Sequence, residues 1–364
     1  MATPQPLTLE AHLQTLFKSP NTHPQLRNSV LPNLLQAIGN ISSALRGSAR
    51  VSQVGTANAF GDDQLNVDVL AENILRQTIS QTPSIVTASS EEDPIERPTQ
   101  LSSAQNSRSS GERAGQAVSN EAAEAQQPQS QAQETYTLAF DPLDGSSIIA
   151  PNWTVGTILG IWSGPSALHH DPATSQIGSI LGVFGPRTTA LVALRIPGAC
   201  DPTCFEIGYP VPREAAAAAH GTIEVLRREV TLDAGAPATR YFAPANLRAA
   251  AEDEAYRALI SHFIAERYTL RYSGGLVPDV VHALVKGHGV YVSPVTKKSK
   301  AKLRRLYELA PVALVVECAG GMAIDAATGE RILSREVRDT DERAGLVCGT
   351  EEEVQSVRKR LIGS

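Results

Sequence analysis

The stretch of this 364-residue chain that points most directly to chemistry is Asp141-Pro142-Leu143-Asp144-Gly145-Ser146-Ser147. Its two carboxylates share a turn stiffened by Pro142, whose ring fixes its own backbone angle, and Gly145 is free to take whatever dihedral the turn needs. With a backbone carbonyl available at Leu143, this is the oxygen-rich setting that a hard cation such as Mg²⁺ prefers. Ser146 and Ser147 add N–H and hydroxyl donors where a phosphate could sit. The implied chemistry is hydrolysis of a phosphate ester on paired metal ions. It needs converging carboxylates, an activated water and donors to the phosphoryl oxygens.

Further candidates follow from that requirement. Glu91 and Glu92 close one apolar segment, and Glu317 closes another, Val312-Ala313-Leu314-Val315-Val316. A carboxylate ending an apolar strand is costly unless it is paired or bound to a metal. Gly61-Asp62-Asp63-Gln64 leads into a helix that carries Asp68. Each has a plainer reading. Asp62 and Asp63 could cap a helix, Glu91-Glu92-Asp93 could be a solvated acidic turn, and Glu317 could form a structural ion pair with an arginine. In the basic run Lys297 to Arg305, Lys302 and Arg304 are the residues expected to grip anionic substrate oxygens, arginine as a planar fork and lysine as a point charge. The rest of that run reads as solvated surface.

These groups have to be held by a mixed set of elements. Leu31, Leu34, Leu35, Ile38, Ile41 and Leu45 recur at helical spacing, as do Val67, Leu70, Ile74 and Leu75. Residues 83–88 read as a buried strand delivering Glu91 and Glu92, and 136–140 as a strand running into the Asp141 turn. Strands are expected at 154–162, 177–184, 188–196, 289–293 and 313–317, and helices at 246–268, 277–285 and 299–309. Residues 96–134 are rich in Ser, Gln, Ala, Gly and Glu and almost free of large apolar side chains. They are expected to form a disordered surface insert. The Pro/Cys/Gly-rich patch at 197–212 suggests a boundary between two mixed α/β domains, 1–200 and 201–364.

Composition narrows the class. A hydrophobic content of 42%, a charged content of 19% and a net charge of −6 fit a soluble globular protein and disfavour a nucleic-acid or anionic-membrane partner. No apolar run is long enough to span a bilayer. The N-terminus shows no signal or transit pattern, so a cytoplasmic location is expected. The spacing Cys200-x-x-x-Cys204 lacks a second metal-binding pair and reads as free thiols.

The segments GDDQLNVDVL, SEE, FDPLDGSS, NWTVGTILGIW, FGPRTT, APANLRA, YTLRYSGGLVPDV, KAKLRRLYE and VVECAGG together resemble the class I fructose-1,6-bisphosphatase family, and within it the sedoheptulose-1,7-bisphosphatase branch. FGPRTT and YTLRYSGG are the segments most like the seven-carbon branch. The resemblance implies a layered αβαβα sandwich. It further implies metal ligands at Glu91, Glu92, Asp141, Asp144 and Glu317 with the Leu143 carbonyl, for two or three Mg²⁺, with Mn²⁺ as a substitute. Asp62, Asp68 and Glu92 would orient or activate the attacking water. Gly145, Ser146 and Ser147 would cradle the departing phosphate, and Asn246, Arg271, Tyr272, Lys302 and Arg304 would contact the sugar phosphate. The implied reaction is removal of the 1-phosphate of sedoheptulose 1,7-bisphosphate by a homodimer or homotetramer. Fructose 1,6-bisphosphate is the alternative substrate. A weakly active paralogue that binds sugar phosphate or other proteins is the alternative of another class, motivated by Ala150 in place of an acidic residue and by the polar insert.

Overall fold

The computed structural model describes residues 7–57, 63–99, 134–210, 223–233, 235 and 237–363. The expected disordered insert therefore falls largely outside the described residues, and Asp62 lies outside them too. The two ends of the insert are built in. Glu96 accepts the Ala167 N–H at 2.7 Å, and Glu134 accepts the Gln25 and Leu26 N–H groups at 3.1 and 3.2 Å.

In chain order the first half contains α1 (Leu9–Leu16), α2 (Leu31–Gly47), the short strands β1 (Gln53–Ala57) and β2 (Asp63–Leu65), and α3 (Asn66–Ser80). β3 (Ile85–Ser90), β4 (Arg97–Pro98), β5 (Tyr136–Asp144), α4 (Ser146–Ile149) and β6 (Val155–Ser163) follow. Then come α5 (Pro172–Ser175), β7 (Gln176–Phe184), β8 (Thr188–Ile196), β9 (Cys200–Gly208) and β10 (Glu224–Arg227). Among the described residues, eight of these strands form one sheet in the order β10-β9-β8-β7-β6-β5-β3-β4. β3 and β5 run parallel, and the β5-to-β9 meander is antiparallel. Both faces of this sheet are covered, which is why β5 is buried along its whole length.

The second half contains β11 (Tyr241–Pro244), α6 (Glu254–Ala265), β12 (Thr269–Leu270), α7 (Leu276–Lys286), β13 (Val290–Ser293), β14 (Leu303–Arg304) and α8 (Ala310–Cys318). It closes with β15 (Met322–Ile324), β16 (Arg343–Ala344), β17 (Leu346–Gly349) and α9 (Glu351–Leu361). Five of its strands form a second sheet, β12-β11-β13-β17-β15, and β14 pairs with β16 in a separate ribbon.

Strand alternation explains how the layers stack. Along β5, Leu138 and Phe140 pack with α2 and α3, whereas Ala139 faces the other way. That second face shares a core with Val277 and Val280 of α7, Val312 to Val316 of α8, and Tyr291, Ala323 and Leu346 from one side of the second sheet. The other side of the second sheet buries Phe242, Val292 and Val347 against Tyr256, Leu259 and Phe263 of α6 and Val354 of α9. Helix, sheet, helix, sheet, helix is the expected αβαβα sandwich. The approach of α7 to the first sheet is close at Gly156, where an added Cβ would lie 2.4 Å from the Val277 side chain.

Three expectations change. The apolar run before Glu317 is helix α8, not a strand; it is buried on all sides, so no amphipathic period marks it. The helix expected at 299–309 is instead β14 followed by a single π-helical turn, Arg305–Leu309. The Pro/Cys/Gly patch carries β9, so the first sheet continues past residue 200 to Arg227.

Candidate active site

Parallel pairing of β3 with β5 brings the first carboxylates together. Ser90 stands opposite Phe140, and the Glu91 N–H donates to the Phe140 carbonyl at 3.0 Å, so Glu91 and Asp141 emerge side by side at the carboxyl ends of two neighbouring strands. β5 then leaves regular register with β6 between Asp141 and Asp144. Thr157 ties down the bulge by donating its hydroxyl to the Pro142 carbonyl at 2.8 Å, and Asp141 accepts the Leu143 N–H at 3.0 Å. Gly145 follows at φ 92°, the left-handed conformation that glycine adopts without steric cost, and turns the chain into α4.

The second half supplies the facing wall. Asp144 accepts the N–H groups of Leu276 and Val277 at 3.1 and 2.7 Å, docking it on the N-terminus of α7. Asp279 fixes the preceding turn by accepting from Ser273 and Gly274. β14 delivers Arg304, whose guanidinium pairs with Glu91. Its N–H donates to Glu308 at 2.5 Å. From the other side, α3 presents Asp68. One of its oxygens accepts the Leu65 N–H at 2.9 Å, and its Oδ1 is buried with no hydrogen-bond partner among the described residues. The Gln64 side-chain amide donates to Glu92.

These groups line one cleft of about 450 Å³, formed by Asp68, Glu91, Glu92, Asp141, Asp144 and Glu308, the 143–147 turn, and Gly274, Leu276 and Tyr291. Lys302, Leu303, Arg304 and Arg343 complete it. Its electrostatics are those of crowded, desolvated carboxylates. Burial raises Asp141 well above the ordinary carboxylate range, and the charges of Glu91, Asp144 and Glu308 add to the effect. Burial likewise raises Glu308, reinforced by Glu91. Asp144 is pushed up to about 6 by burial against the opposing pull of the α7 N–H groups. Asp68 is pushed up to about 7 by burial, with a smaller contribution from Glu92.

As the side chains stand, no three carboxylate, imidazole or thiolate groups among the described residues are gathered closely enough to hold a metal ion. Glu91 is turned to Arg304 and Asp144 to α7. The donor set nevertheless fits a hard divalent cation: all its ligand atoms are oxygen, they are largely buried, and they carry more negative charge than Arg304 balances.

Of the residues singled out from sequence, Asp68, Glu91, Glu92, Asp141, Leu143, Asp144, Gly145, Ser146, Ser147, Lys302 and Arg304 all line this cleft. Glu317 does not. It lies near the end of α8 and pairs with Arg195 of β8 at 3.0 Å and with Arg331 at 3.4 Å, because the run before it is a helix that carries it away from the strand ends. Its expected place is taken by Glu308. Asn246, Arg271 and Tyr272 are not in the lining of the cleft. The Tyr272 hydroxyl accepts from the Asn246 N–H, and Arg271 sits 5.7 Å from the Tyr241 ring centroid. Sequence reasoning also missed Tyr291 and Arg343 as lining residues. Glu308 carried a usable signal, an acid embedded between Tyr307 and Leu309 just before an apolar run. Arg343, inside the charged stretch Asp339 to Arg343, carried none.

Known proteins with this sequence pattern settle the family. Residues 101–199 match the N-terminal domain of fructose-1-6-bisphosphatase, and residues 236–361 match its C-terminal domain. The chloroplastic sedoheptulose-1,7-bisphosphatase of Spinacia oleracea is 31% identical over 337 residues, covering 92% of this chain and 75% of the relative. The chain belongs to the fructose-1,6-bisphosphatase family. This sugar bisphosphatase, a phosphoric monoester hydrolase, is also 29% identical over 341 residues to the class 1 fructose-1,6-bisphosphatase of Trichlorobacter lovleyi, covering 92% of this chain and 91% of that protein. A crystal structure from Toxoplasma gondii assigned as a sedoheptulose-1,7 bisphosphatase superposes with a TM-score of 0.76 at 30% identity, covering 98% of this chain and 99% of that one. The holo fructose-1,6-bisphosphatase of Leishmania major, 20% identical with a TM-score of 0.75 and the same coverage, shares the fold. Among the described residues of the bisphosphatase, no helix is long and apolar enough to cross a membrane.

Proposed function

We propose that the bisphosphatase is Mg²⁺-dependent and hydrolyses the 1-phosphate of sedoheptulose 1,7-bisphosphate, giving sedoheptulose 7-phosphate and phosphate. The observation that carries this reading is the surplus of desolvated carboxylates from β3, β5 and the Arg305–Leu309 turn in one cleft that also holds Lys302, Arg304 and Arg343. Glu91, Glu92, Asp141, Asp144 and Glu308, with the Leu143 carbonyl, would hold two or three Mg²⁺, or Mn²⁺ in their place. Bound there, such ions supply charge neutralisation at the phosphoryl oxygens and acidify water.

The chain's own groups account for the remaining requirements. Asp68, raised to about 7 and with one oxygen unpartnered, is suited to take a proton from the attacking water, and Glu92, near enough for its charge to act on Asp68, orients that water. Ser146 and Ser147 in the first turn of α4 offer donors to the departing phosphate. Lys302 and Arg304 hold anionic oxygens, and Asn246, Arg271 and Tyr272 extend the contact surface toward the distal phosphate. Fixing that remote group sets the reacting end in position. The exposed edge strand β12 and Arg271 beyond it offer a face for the homodimer or homotetramer.

The seven-carbon substrate is supported by the sedoheptulose-1,7-bisphosphatase of spinach, and the fructose-1,6-bisphosphatase relatives make the six-carbon sugar the second reading. Phosphate release from the two bisphosphates, measured side by side with Mg²⁺ and with chelator, separates these. Chelator-sensitive release favouring the seven-carbon sugar is expected. Equal or faster release from fructose 1,6-bisphosphate would move the assignment to the six-carbon sugar.

A further inference from the structure

Behind the Glu91–Glu92 corner of the cleft, α3 and the end of β3 are tied together by Glu72, Arg76 and Ser90, which do not line the cleft themselves. Ser90 is fully buried and closes the turn that displays the two glutamates. Its hydroxyl accepts the Asp93 N–H at 2.9 Å, and its own N–H donates to the Asp93 carbonyl at 3.0 Å. The same hydroxyl donates to Glu72 Oε1 at 3.0 Å and accepts from Arg76 Nη2 at 3.3 Å. One donor and two lone pairs are thereby used, the whole capacity of a serine hydroxyl. Arg76 Nε donates to the same Glu72 oxygen at 2.7 Å, and its guanidinium lies 5.3 Å from the ring centroid of Phe140, the residue before Asp141. Asp93 stands farther from Arg76, at 3.7 Å, and its carboxylate is taken up by Arg97 at 2.9 and 3.2 Å. Asp68, Glu72 and Arg76 follow one another at intervals of four on α3, so they share one face of the helix.

We propose that Glu72 is a positioning residue for the hydrolysis: through Ser90 and Arg76 it fixes the spacing between the Glu91–Glu92 turn and Asp68, and so between the cation ligands and the group that takes the proton. This role rests on the reading of the cleft as a metal-dependent phosphatase site. Glu72 is largely buried, yet its Oε2 has no hydrogen-bond partner among the described residues. Burying an unpaired polar oxygen is costly, and an apolar side chain would fill the same space without that cost. What the carboxylate adds is Oε1, the acceptor that orients both the Ser90 hydroxyl and the Arg76 guanidinium. Because the Glu91 N–H is bonded to the Phe140 carbonyl, the turn is then anchored to both β5 and α3. Groups that hold metal ligands in place from behind govern metal affinity and rate together.

The test compares Glu72→Ala, Glu72→Gln, Ser90→Ala and the double variant Glu72→Ala/Ser90→Ala with the wild type. Mn²⁺ binding is read by electron paramagnetic resonance without substrate, and turnover on whichever of the two bisphosphates the wild type hydrolyses faster. Glu72→Ala is expected to weaken Mn²⁺ binding and to lower kcat by about tenfold each, with KM for the sugar changed by less than about twofold because Lys302 still grips it. Glutamine keeps Oε1 and puts its amide where the unpartnered Oε2 now lies, so Glu72→Gln should stay within about threefold of the wild type in both measurements. Ser90→Ala, which cuts the same link from its other end, should copy Glu72→Ala, and the double variant should be no worse than either single one. Unchanged Mn²⁺ affinity and kcat in Glu72→Ala, beside a wild type that binds Mn²⁺ and turns over, would overturn this role alone. So would Glu72→Gln as defective as Glu72→Ala, or additive losses in the double variant. A wild type that neither binds Mn²⁺ nor hydrolyses either sugar would overturn the metal-dependent reading and this role with it.

Discussion

Glu308, in the π-helical turn that leads into α8, and Glu317, in the last turn of α8, have opposite environments. Glu308 enters a cleft where its neighbours are Glu91 and Asp144, and burial among like charges raises it well above the ordinary carboxylate range. Glu317 meets Arg195 and Arg331, and its charge is balanced by partners on β8 and on a neighbouring loop. Uncompensated negative charge inside a protein is costly, and it persists where a cation or a proton completes the site. A balanced pair is ordinary structural glue. The difference teaches that the sign of the local charge balance, more than the presence of a buried acid, separates a site from a strut.

Substitutions can break or sharpen that contrast. The largest effect is expected for Asp141→Asn, which removes the central carboxylate of the cleft while relieving its crowding. Turnover should fall by ~10³-fold or more with little loss of thermal stability, and near wild-type rates in that variant would sink the metal assignment. Glu308→Gln should behave similarly. Glu317→Gln should keep the wild-type rate yet lose roughly 1–3 kcal/mol of stability, because Arg195 is left partly buried without its partner. Denaturant melts of the two glutamate variants, set beside their rates, check the pair. Lys302→Met is expected to raise KM about tenfold with kcat little changed, since the lysine grips substrate and does no chemistry.

The smallest expected effect is on stability as a function of pH in chelator. Asp68 and Asp144 have folded-state values raised above those of the unfolded chain, so their contribution is fully present at low pH and is lost as pH rises through the folded values. Chelated protein should lose stability between about pH 4 and about pH 7. Saturating Mg²⁺ should flatten that slope, and an equal slope with and without the ion would contradict a cation-filled cleft.

The parts legible in the sequence are those where local chemistry and tertiary context agree. The Asp141 turn announces itself through Pro142 and Gly145, and β8 through its β-branched and apolar run over Thr188–Ile196. α2 is readable because Leu31, Leu34, Leu35, Ile38 and Ile41 all face one core. α8 was not, because a helix apolar on every face has no period to distinguish it from a buried strand. That single ambiguity misplaced Glu317 and hid Glu308, which follows a basic run that reads as solvated surface. Tyr291 and Arg343 become lining residues only when the second sheet and the β14–β16 ribbon close over the ends of β3 and β5, a long-range contact that no local pattern encodes.

The measurement that tests the central claim most directly is the number of Mn²⁺ ions bound, by electron paramagnetic resonance, to the wild-type protein, Glu308→Gln and Glu317→Gln. Glu308→Gln is expected to lose at least one ion that the wild type binds, while Glu317→Gln keeps the wild-type number. Loss of an ion in Glu317→Gln with full binding in Glu308→Gln would contradict the account.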